Sequence, residues 1–331
     1  MHYIGVDLHK RTLVAAVETG DGPVGHPVAI GCRDTDRIRA FFEARVPFRA
    51  VIEASASYRW LYDMVADLGE VLLAHPGRLR AIVSGRAKTD KLDAKLLAGL
   101  LRADLIPPAY VPPQSYATLR EVTRARARLA RHAAQGKNEV HALLIRANVH
   151  APYRDVFSQG GRRWLAAVPL CEAGSFLRDE LLRRIAYYDQ EIAALDARLD
   201  TLAVQFPQTA ALCVLHGIGL YSALLIVGEI GEPWRFAHGR QVGAHAGLTA
   251  RVSQSGTRAY HGHITRQGSP WLRWSLVQAA MHIVRKDPEL KNLYTRVRKR
   301  SSAQIARVAV ARKLATICWV RLMRWHAAQM A

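Results

Sequence analysis

Asp90 and Asp93 stand three residues apart in the stretch KTDKLDAKLLAGLL, residues 88–101. The apolar spacing that follows them reads as a helix, on which residues i and i+3 are neighbours, so the two carboxylates repel unless a cation lies between them. Two further acids sit in apolar, strand-like runs: Asp7 in HYIGVDL and Glu53 in RAVIEAS. An ionised carboxylate among apolar neighbours is costly unless paired, so Glu53 in particular calls for a cation. Four oxygen donors without His or Cys suit a hard divalent ion such as Mg²⁺, with Mn²⁺ the alternative. Two such ions held close together would activate an attacking oxygen and stabilise a leaving one in phosphodiester chemistry. The competing assignment is structural: each Asp could cap a helix or pair with Lys88, Lys91 or Lys95. Asp90, following Thr89 at a helix start, is a serious candidate for an N-cap.

The elements that must bring these acids together can be read along the first hundred residues. HYIGVDL, TLVAAVE and HPVAIGC read as three strands joined by short polar turns. DTDRIRAFFEARV follows with an Asp cap and helical spacing of Ile38, Phe41, Phe42 and Val46. RAVIEAS is a short buried strand, YRWLYDMVADLG a helix ended by Gly69, and EVLLAHP another strand, before the helix that carries Asp90 and Asp93. A strand meander followed by strands alternating with helices is the order of an α/β ribonuclease-H-like domain. In that sheet order the strands of Asp7 and Glu53 lie side by side, and the helix of Asp90 and Asp93 packs across their ends. The proline-rich IPPAYVPPQ (106–114) marks the boundary, giving a first domain over 1–105.

Residues 106–210 read as a linker and a mainly α-helical region with a coiled-coil stretch. Leu181, Ile185, Tyr188, Ile192, Leu195, Leu199 and Leu202 recur at three and four residues, a seam that either closes a hairpin within the chain or pairs two subunits. In 211–331, VLHGIGLYSALLIVGEIG resembles a helix-hairpin-helix: Gly217 and Gly219 allow the turn, and the next helix offers free N–H groups to a phosphate. The following AGLTARVSQSGTRAYHGHITRQGSPWLRWSLVQAA reads as an arginine-studded loop region that ends in an amphipathic helix.

The formal charge of +20 is concentrated: residues 235–331 hold 18 Lys and Arg against 2 Asp and Glu, whereas the segments 1–110 and 111–234 each carry +2. Aromatics such as Trp271, Trp274, Tyr294 and Trp319 are interleaved with runs like RVRKR, which suits a nucleic acid better than a merely solvated basic face. Cys32, Cys171, Cys213 and Cys318 show no metal or disulfide spacing and read as reduced and buried, consistent with a cytoplasmic protein. The start MHYIGVDLHK meets Asp7 before any long apolar run, so no signal peptide is expected. No apolar stretch reaches the ~18 residues of a membrane span.

Taken together, Asp7 in YIGVDLHK, Glu53 in VIEASASY, and Asp90 and Asp93 in KTDKLDAKLLA resemble the Asp-Glu-Asp-Asp signature of the insertion sequence 110 transposases, relatives of the Piv invertases. LHGIGLYSALLIVGEIG, FAHGRQVGAHAGLTARVSQSGT and GSPWLRWSLVQAA are similar to that family's second domain, in the same order along the chain. The resemblance implies a RuvC-like first domain whose four acids, Asp7, Glu53, Asp90 and Asp93, hold the metal. It also implies a basic transposase domain that supplies a serine nucleophile. By motif that serine is Ser255 in SQSGTR, with Ser253 a rival if the loop register differs. Its hydroxyl would attack a DNA phosphate and conserve the bond energy in a phosphoserine link. Arg251 or Arg258 would offset the developing charge, and Arg266 joins them as a nucleic-acid contact. The resemblance further implies a structured bridge RNA that pairs with donor and target DNA, and dimers or tetramers that bring two sites together.

Other classes remain in view. A junction-resolving RuvC-like endonuclease would use the same acids with water as nucleophile and leave Ser255 dispensable. A sugar-kinase or actin-like ATPase needs a phosphate loop after its first Asp, and DLHKRT fits poorly. A non-enzymatic DNA-binding protein accounts for the basic third but leaves Glu53 without a partner. His261 and His263 are close in sequence but lack a carboxylate nearby, so they read as nucleic-acid contacts or surface residues.

Overall fold

The fold is that of a computed structural model, which describes residues 1–20, 24–55, 57–83, 90–255 and 258–330, with the backbone alone for Val83, Asp90, Lys91, 252–255 and 258–261. Two compact units result, Met1–Val111 and Pro112–Ala331. The division falls within IPPAYVPPQ, where prolines fix φ and remove N–H donors, so that neither a helix nor an inner strand can run through.

In the first unit β1 (His2–Leu8), β2 (Thr12–Thr19) and β3 (Val28–Gly31) form an antiparallel meander. Helix α1 (Thr35–Glu43), capped by Asp34 as its sequence predicts, leads to β4 (Phe48–Glu53), and α2 (Tyr58–Val65) leads to β5 (Glu70–Ala74). β4 is parallel to β1 and β5 to β4, in a mixed sheet of order β3-β2-β1-β4-β5. Helices α3 (Pro76–Val83), an element absent from the sequence reading, and α4 (Asp90–Arg102) complete the unit.

Alternation along the strands gives the sheet two apolar faces. On one, Ile38, Phe42, Leu61 and Val65 of α1 and α2 bury Ile4, Val6, Leu13 and Ile52. On the other, Leu97 and Leu101 of α4 pack with Val51 and Ala74, and Ala94 packs with Val14 and Ala16. Each fully buried side chain of this size contributes about 1.5–3 kcal/mol, so α4 is fixed to the sheet along its length.

The second unit begins with α5 (Gln114–Arg146), α6 (Gln159–Ala167) and α7 (Glu172–Ala203). α5 and α7 pair antiparallel: Arg126 bonds Asp196 through both carboxylate oxygens (3.0 and 3.1 Å), His132 stacks on Tyr188, and Gly136 lies against Ile185. The heptad seam therefore closes a hairpin within the chain, about 50 Å long at 1.5 Å per residue. There follow α8 (Ala210–Cys213), α9 (Leu220–Ile230), α10 (Gly239–His245), β6 (Ala250–Ser255), β7 (Arg258–Ile264), α11 (Pro270–Ile283), α12 (Pro288–Arg300) and α13 (Ala303–Met330). α9 is buried from Ala223 to Ile230, the mark of a helix apolar on all sides, and α10, α11 and α13 contribute Val242, Leu276 and Leu314 to the core that holds it.

Two expectations need correction. The stretch around SQSGTR holds an antiparallel β6–β7 pair rather than a loop region, because ARVSQS and RAYHGHI are strand-length runs only two residues apart in sequence. Cys171 and Cys213 are exposed rather than buried, at a helix N-cap and on a one-turn helix that shows one face to solvent; Cys318 is buried and Cys32 half-buried. No helix among the described residues is long and apolar enough to cross a membrane.

Candidate active site

Asp7 lies next to the end of β1 and Glu53 ends β4. The parallel register pairs Val6 with Ile52, so the two acids stand one step beyond it at the same end of neighbouring strands. They also share a face. A Cβ on Gly5 would lie 2.1 Å from Ala94 O and 2.4 Å from Ala98 N, so Gly5 faces α4, and Asp7, two residues on, faces the same way. Glu53 follows Val51, which packs with Leu97 of α4, by the same interval.

α4 runs opposite to β1: Leu101 packs near Tyr3, Ala94 near Val14, the partner of Asp7. Its N-terminal turn is thereby directed to the strand ends that carry Asp7 and Glu53. Asp93, half-buried, precedes Leu97 by one turn on the same stripe. Asp90 is the first residue of α4; its side chain lies outside the described residues, as do Thr89 and Lys88.

The partners of these acids bear on the structural alternative. His9 Nε2 lies 3.0 Å from Asp7 Oδ2 and covers a carboxylate that is 14% exposed. Glu53 and Asp93 have neither hydrogen-bond nor ion-pair partners among the described residues, so Lys95 does not neutralise Asp93. Half-buried carboxylates without counter-charge are what a divalent cation with oxygen ligands requires, and the donor set fits a hard ion. Among the described residues, which do not include the Asp90 side chain, no three His, Cys, Asp or Glu side chains stand close enough to hold a metal.

In the second unit Ser255 pairs with Arg258 and Ser253 with Tyr260 in the hairpin register. The side chains of Ser253, Ser255, Arg258 and His261 lie outside the described residues, while Arg251 and His263 are exposed. The strand ends opposite the turn are firmly tied. Thr265 N donates to Thr249 O (2.8 Å), Arg266 N to Gly247 O (3.2 Å) and Ser269 N to His245 O (2.8 Å). Arg266 itself is exposed and has φ +54.

Beneath this base lies a buried polar network that sequence reasoning missed. Glu229, 2% exposed, accepts from Arg124 Nε (2.6 Å) and Nη2 (2.9 Å) and from Ser269 Oγ (2.8 Å). Ser269 Oγ in turn caps α11, accepting from Leu272 N at 3.0 Å. Arg120 donates to the carbonyls of Gly228 and Glu229. Burial alone would push the Glu229 carboxyl up, but Arg124 and Ser269 hold it below the usual range. Neighbouring His245 is brought down to about 4 by burial and by the charges of Arg235 and Arg120, so its ring is neutral. The signal was available: one acid inside the apolar LLIVGEIG must find a cation.

Of the two glycines read as the turn of a helix-hairpin-helix, Gly217 alone is demanded by the backbone. Gly217 has φ +88, and a Cβ there would come within 2.6 Å of His282 Cβ. Gly219 caps α9 in extended geometry with open space around it.

Comparison with known proteins adds to this geometry. A family model for DEDD transposases of the IS110 type matches residues 4–148, and the model described as "Transposase IS116/IS110/IS902 family" matches residues 209–295. A "Probable family 20 transposase" of Pseudomonas aeruginosa is 28% identical over 97% of this chain and 96% of its own. The "Transposase for insertion sequence element IS1328" of Yersinia enterocolitica is 24% identical over 86% of both chains. That for IS1111A of Coxiella burnetii is 27% identical over 56% of this chain and 53% of its own.

Proposed function

Because the chain belongs to the IS110 family of insertion-sequence transposases, we propose that it cuts and rejoins DNA through a serine nucleophile assisted by a metal bound at Asp7, Glu53, Asp90 and Asp93. The observation that carries this reading is the meeting of Asp7 and Glu53 at one end of adjacent parallel strands, facing the helix that begins with Asp90 and Asp93. A meander followed by parallel strands, with acids at this edge, supports a ribonuclease-H-like fold of the RuvC type.

The four carboxylates would hold Mg²⁺, or Mn²⁺ in its place, which when bound polarises a phosphodiester and its leaving oxygen. Asp7 is kept in position by His9, and Asp93 by the packing of α4 on Gly5. Ser255 Oγ would attack phosphorus, forming a phosphoserine bond while one DNA hydroxyl leaves with the proton. A hydroxyl of the partner DNA then reverses the step, restoring a phosphodiester and freeing the serine. Arg251 and Arg258 flank Ser255 on the two strands, where their charge would offset that of the phosphorane. Arg266 at the hairpin base and the α9 turn at Gly217 and Gly219 would hold the DNA backbone.

Target choice is assigned to a bridge RNA paired with donor and target DNA. The functional division is 1–105 for the metal, 106–210 for the helical arm and 211–331 for the serine. Dimers or tetramers, acting in the cytoplasm, would bring two DNA sites together.

The test incubates the protein with RNA transcribed from its element's flanks, Mg²⁺ and end-labelled donor and target DNA. A denaturant-resistant protein–DNA adduct should form, vanish in Ser255→Ala, and be lost in Asp90→Ala. Cleavage without an adduct that Ser255→Ala leaves intact would make the protein a nuclease that uses water.

A further inference from the structure

Six of the 18 Lys and Arg residues of the last third line one cleft and its extension. Helices α10, α12 and α13 enclose a space of about 920 Å³, into which Arg240, Arg296, Arg312 and Lys313 project over a floor of Leu293 and Val297. At Arg296 it continues into a depression of about 330 Å³ bordered by Lys299 and Arg300. From these observations we infer that the α12–α13 cleft is a track for the sugar–phosphate backbone of one nucleic-acid strand. The inference rests on the transposase reading only for the kind of polyanion it names.

Three features separate this cleft from an ordinary solvated face. First, arginines that stitch this fold together have carboxylates: Arg39 with Asp67, Arg49 with Glu70, Arg124 with Glu229, Arg126 with Asp196. Arg240, Arg296 and Arg312 have none among the described residues. Glu289, the one acid lining the cleft, is 3.5 Å from Lys313. Three arginines gathered beside a single acid that is itself paired with Lys313 repel one another, a cost that an anionic ligand removes.

Second, α12 sorts its charge by face. Leu290, Leu293 and Tyr294 turn to the core. Arg296 and Arg300, spaced i and i+4, stand on the cleft flank, whereas Lys291 and Arg298 fall on the opposite flank. Third, the dimensions select the ligand. Glu289 to Val297, the part of α12 that lines the larger space, spans about 12 Å along the helix axis, which makes a space of this volume roughly 9 Å across. A single strand enters it; a duplex, whose two backbones stand about 12 Å apart across the major groove, does not. At about 3.4 Å per phosphate along a strand, some three or four phosphates lie within reach of the cleft cations.

The test compares two variants of the full chain with equal loss of charge: Arg296→Ala/Arg312→Ala in the cleft and Lys291→Ala/Arg298→Ala on the other flank. All four side chains are exposed and free of ion pairs among the described residues, so folding is retained. Binding to a labelled mixed-sequence single strand of about 20 nucleotides is measured without divalent ions, as salt rises from about 50 to about 300 mM. Two lost phosphate contacts should flatten the slope of log K against log salt by about 1.4 and weaken binding on the order of tenfold at about 0.15 M salt. The flank variant should lose less than half of this. Matched DNA and RNA strands identify which polymer the cleft favours. Equal loss in the two variants, or a duplex whose binding falls as much as the single strand's, overturns the inference. Because no cleavage is read, a failure here leaves the serine chemistry untouched, and absence of an adduct leaves the cleft untouched.

Discussion

Replacing Glu229 by glutamine keeps the shape of the side chain and removes its charge beneath the hairpin base. Breaking a buried ion pair from one side costs about 3–5 kcal/mol, because the remaining ion is left desolvated. Two features lower that figure. Arg124 is 35% exposed and can turn part of its charge to water, and an amide still accepts from Ser269. About 2–3 kcal/mol remains, and since 1 kcal/mol moves the Tm of a unit of this size by about 2–4 °C, a fall of about 4–12 °C is expected at neutral pH. Calorimetry of the full chain measures it in the transition of the second unit. The acid limb supplies a sign. With its folded pKa below the ordinary value of 4.5, Glu229 contributes stability above that pH and loses it as pH falls through the lower folded value. Wild type and variant should therefore converge in acid. The double variant Glu229→Leu/Arg124→Leu should be destabilised by less than the sum of its parts. A Glu229→Gln protein that melts within about 2 °C of wild type, or whose deficit persists unchanged at low pH, would refute the account of the network.

Gly5→Ala should cost about 1–3 kcal/mol in the first unit, since its Cβ meets backbone atoms of Ala94 and Ala98 that have no rotamer to change; thermal melting and strand transfer should both decline. Glu53→Gln and Asp93→Asn should abolish strand transfer yet leave the first unit as stable, or up to about 0.5 kcal/mol more stable, because no described partner is lost; a drop above about 1 kcal/mol would assign these acids a structural role. His245, at about 4 when folded and 6.5 ordinarily, contributes stability in full above 6.5 that is lost as pH falls from there to about 4. Melting curves over that window should flatten in His245→Gln.

The order of the strands was legible because a meander and two βα repeats declare themselves through apolar runs separated by turns. Adjacency of the Asp7 and Glu53 strands followed from that order alone. Three things were not legible. Close contact of α4 with the sheet depends on Gly5, a glycine inside a strand, which in sequence signals only weakness or a bulge. The Glu229 network joins residues more than a hundred positions apart, and the glycines beside it drew attention to the α9 turn instead. The β6–β7 hairpin was missed for a related reason: polar and charged residues dominate its strands, so composition spoke for a loop while spacing spoke for a ladder.

Gly5 has one more consequence. Where side chains separate a helix from a sheet, substitutions in the core alter the gap, because one volume is exchanged for another. At Gly5 there is little to exchange: its nearest neighbours on α4 are the peptide atoms Ala94 O and Ala98 N, with only the Leu97 Cβ beside them, and the gap at that point is set by the polypeptide itself. The distance from the strand acids to the helix acids is thus gauged by the backbone. The apolar positions around it can drift while that gauge holds, so the first unit can accumulate changes of sequence without detuning its carboxylates.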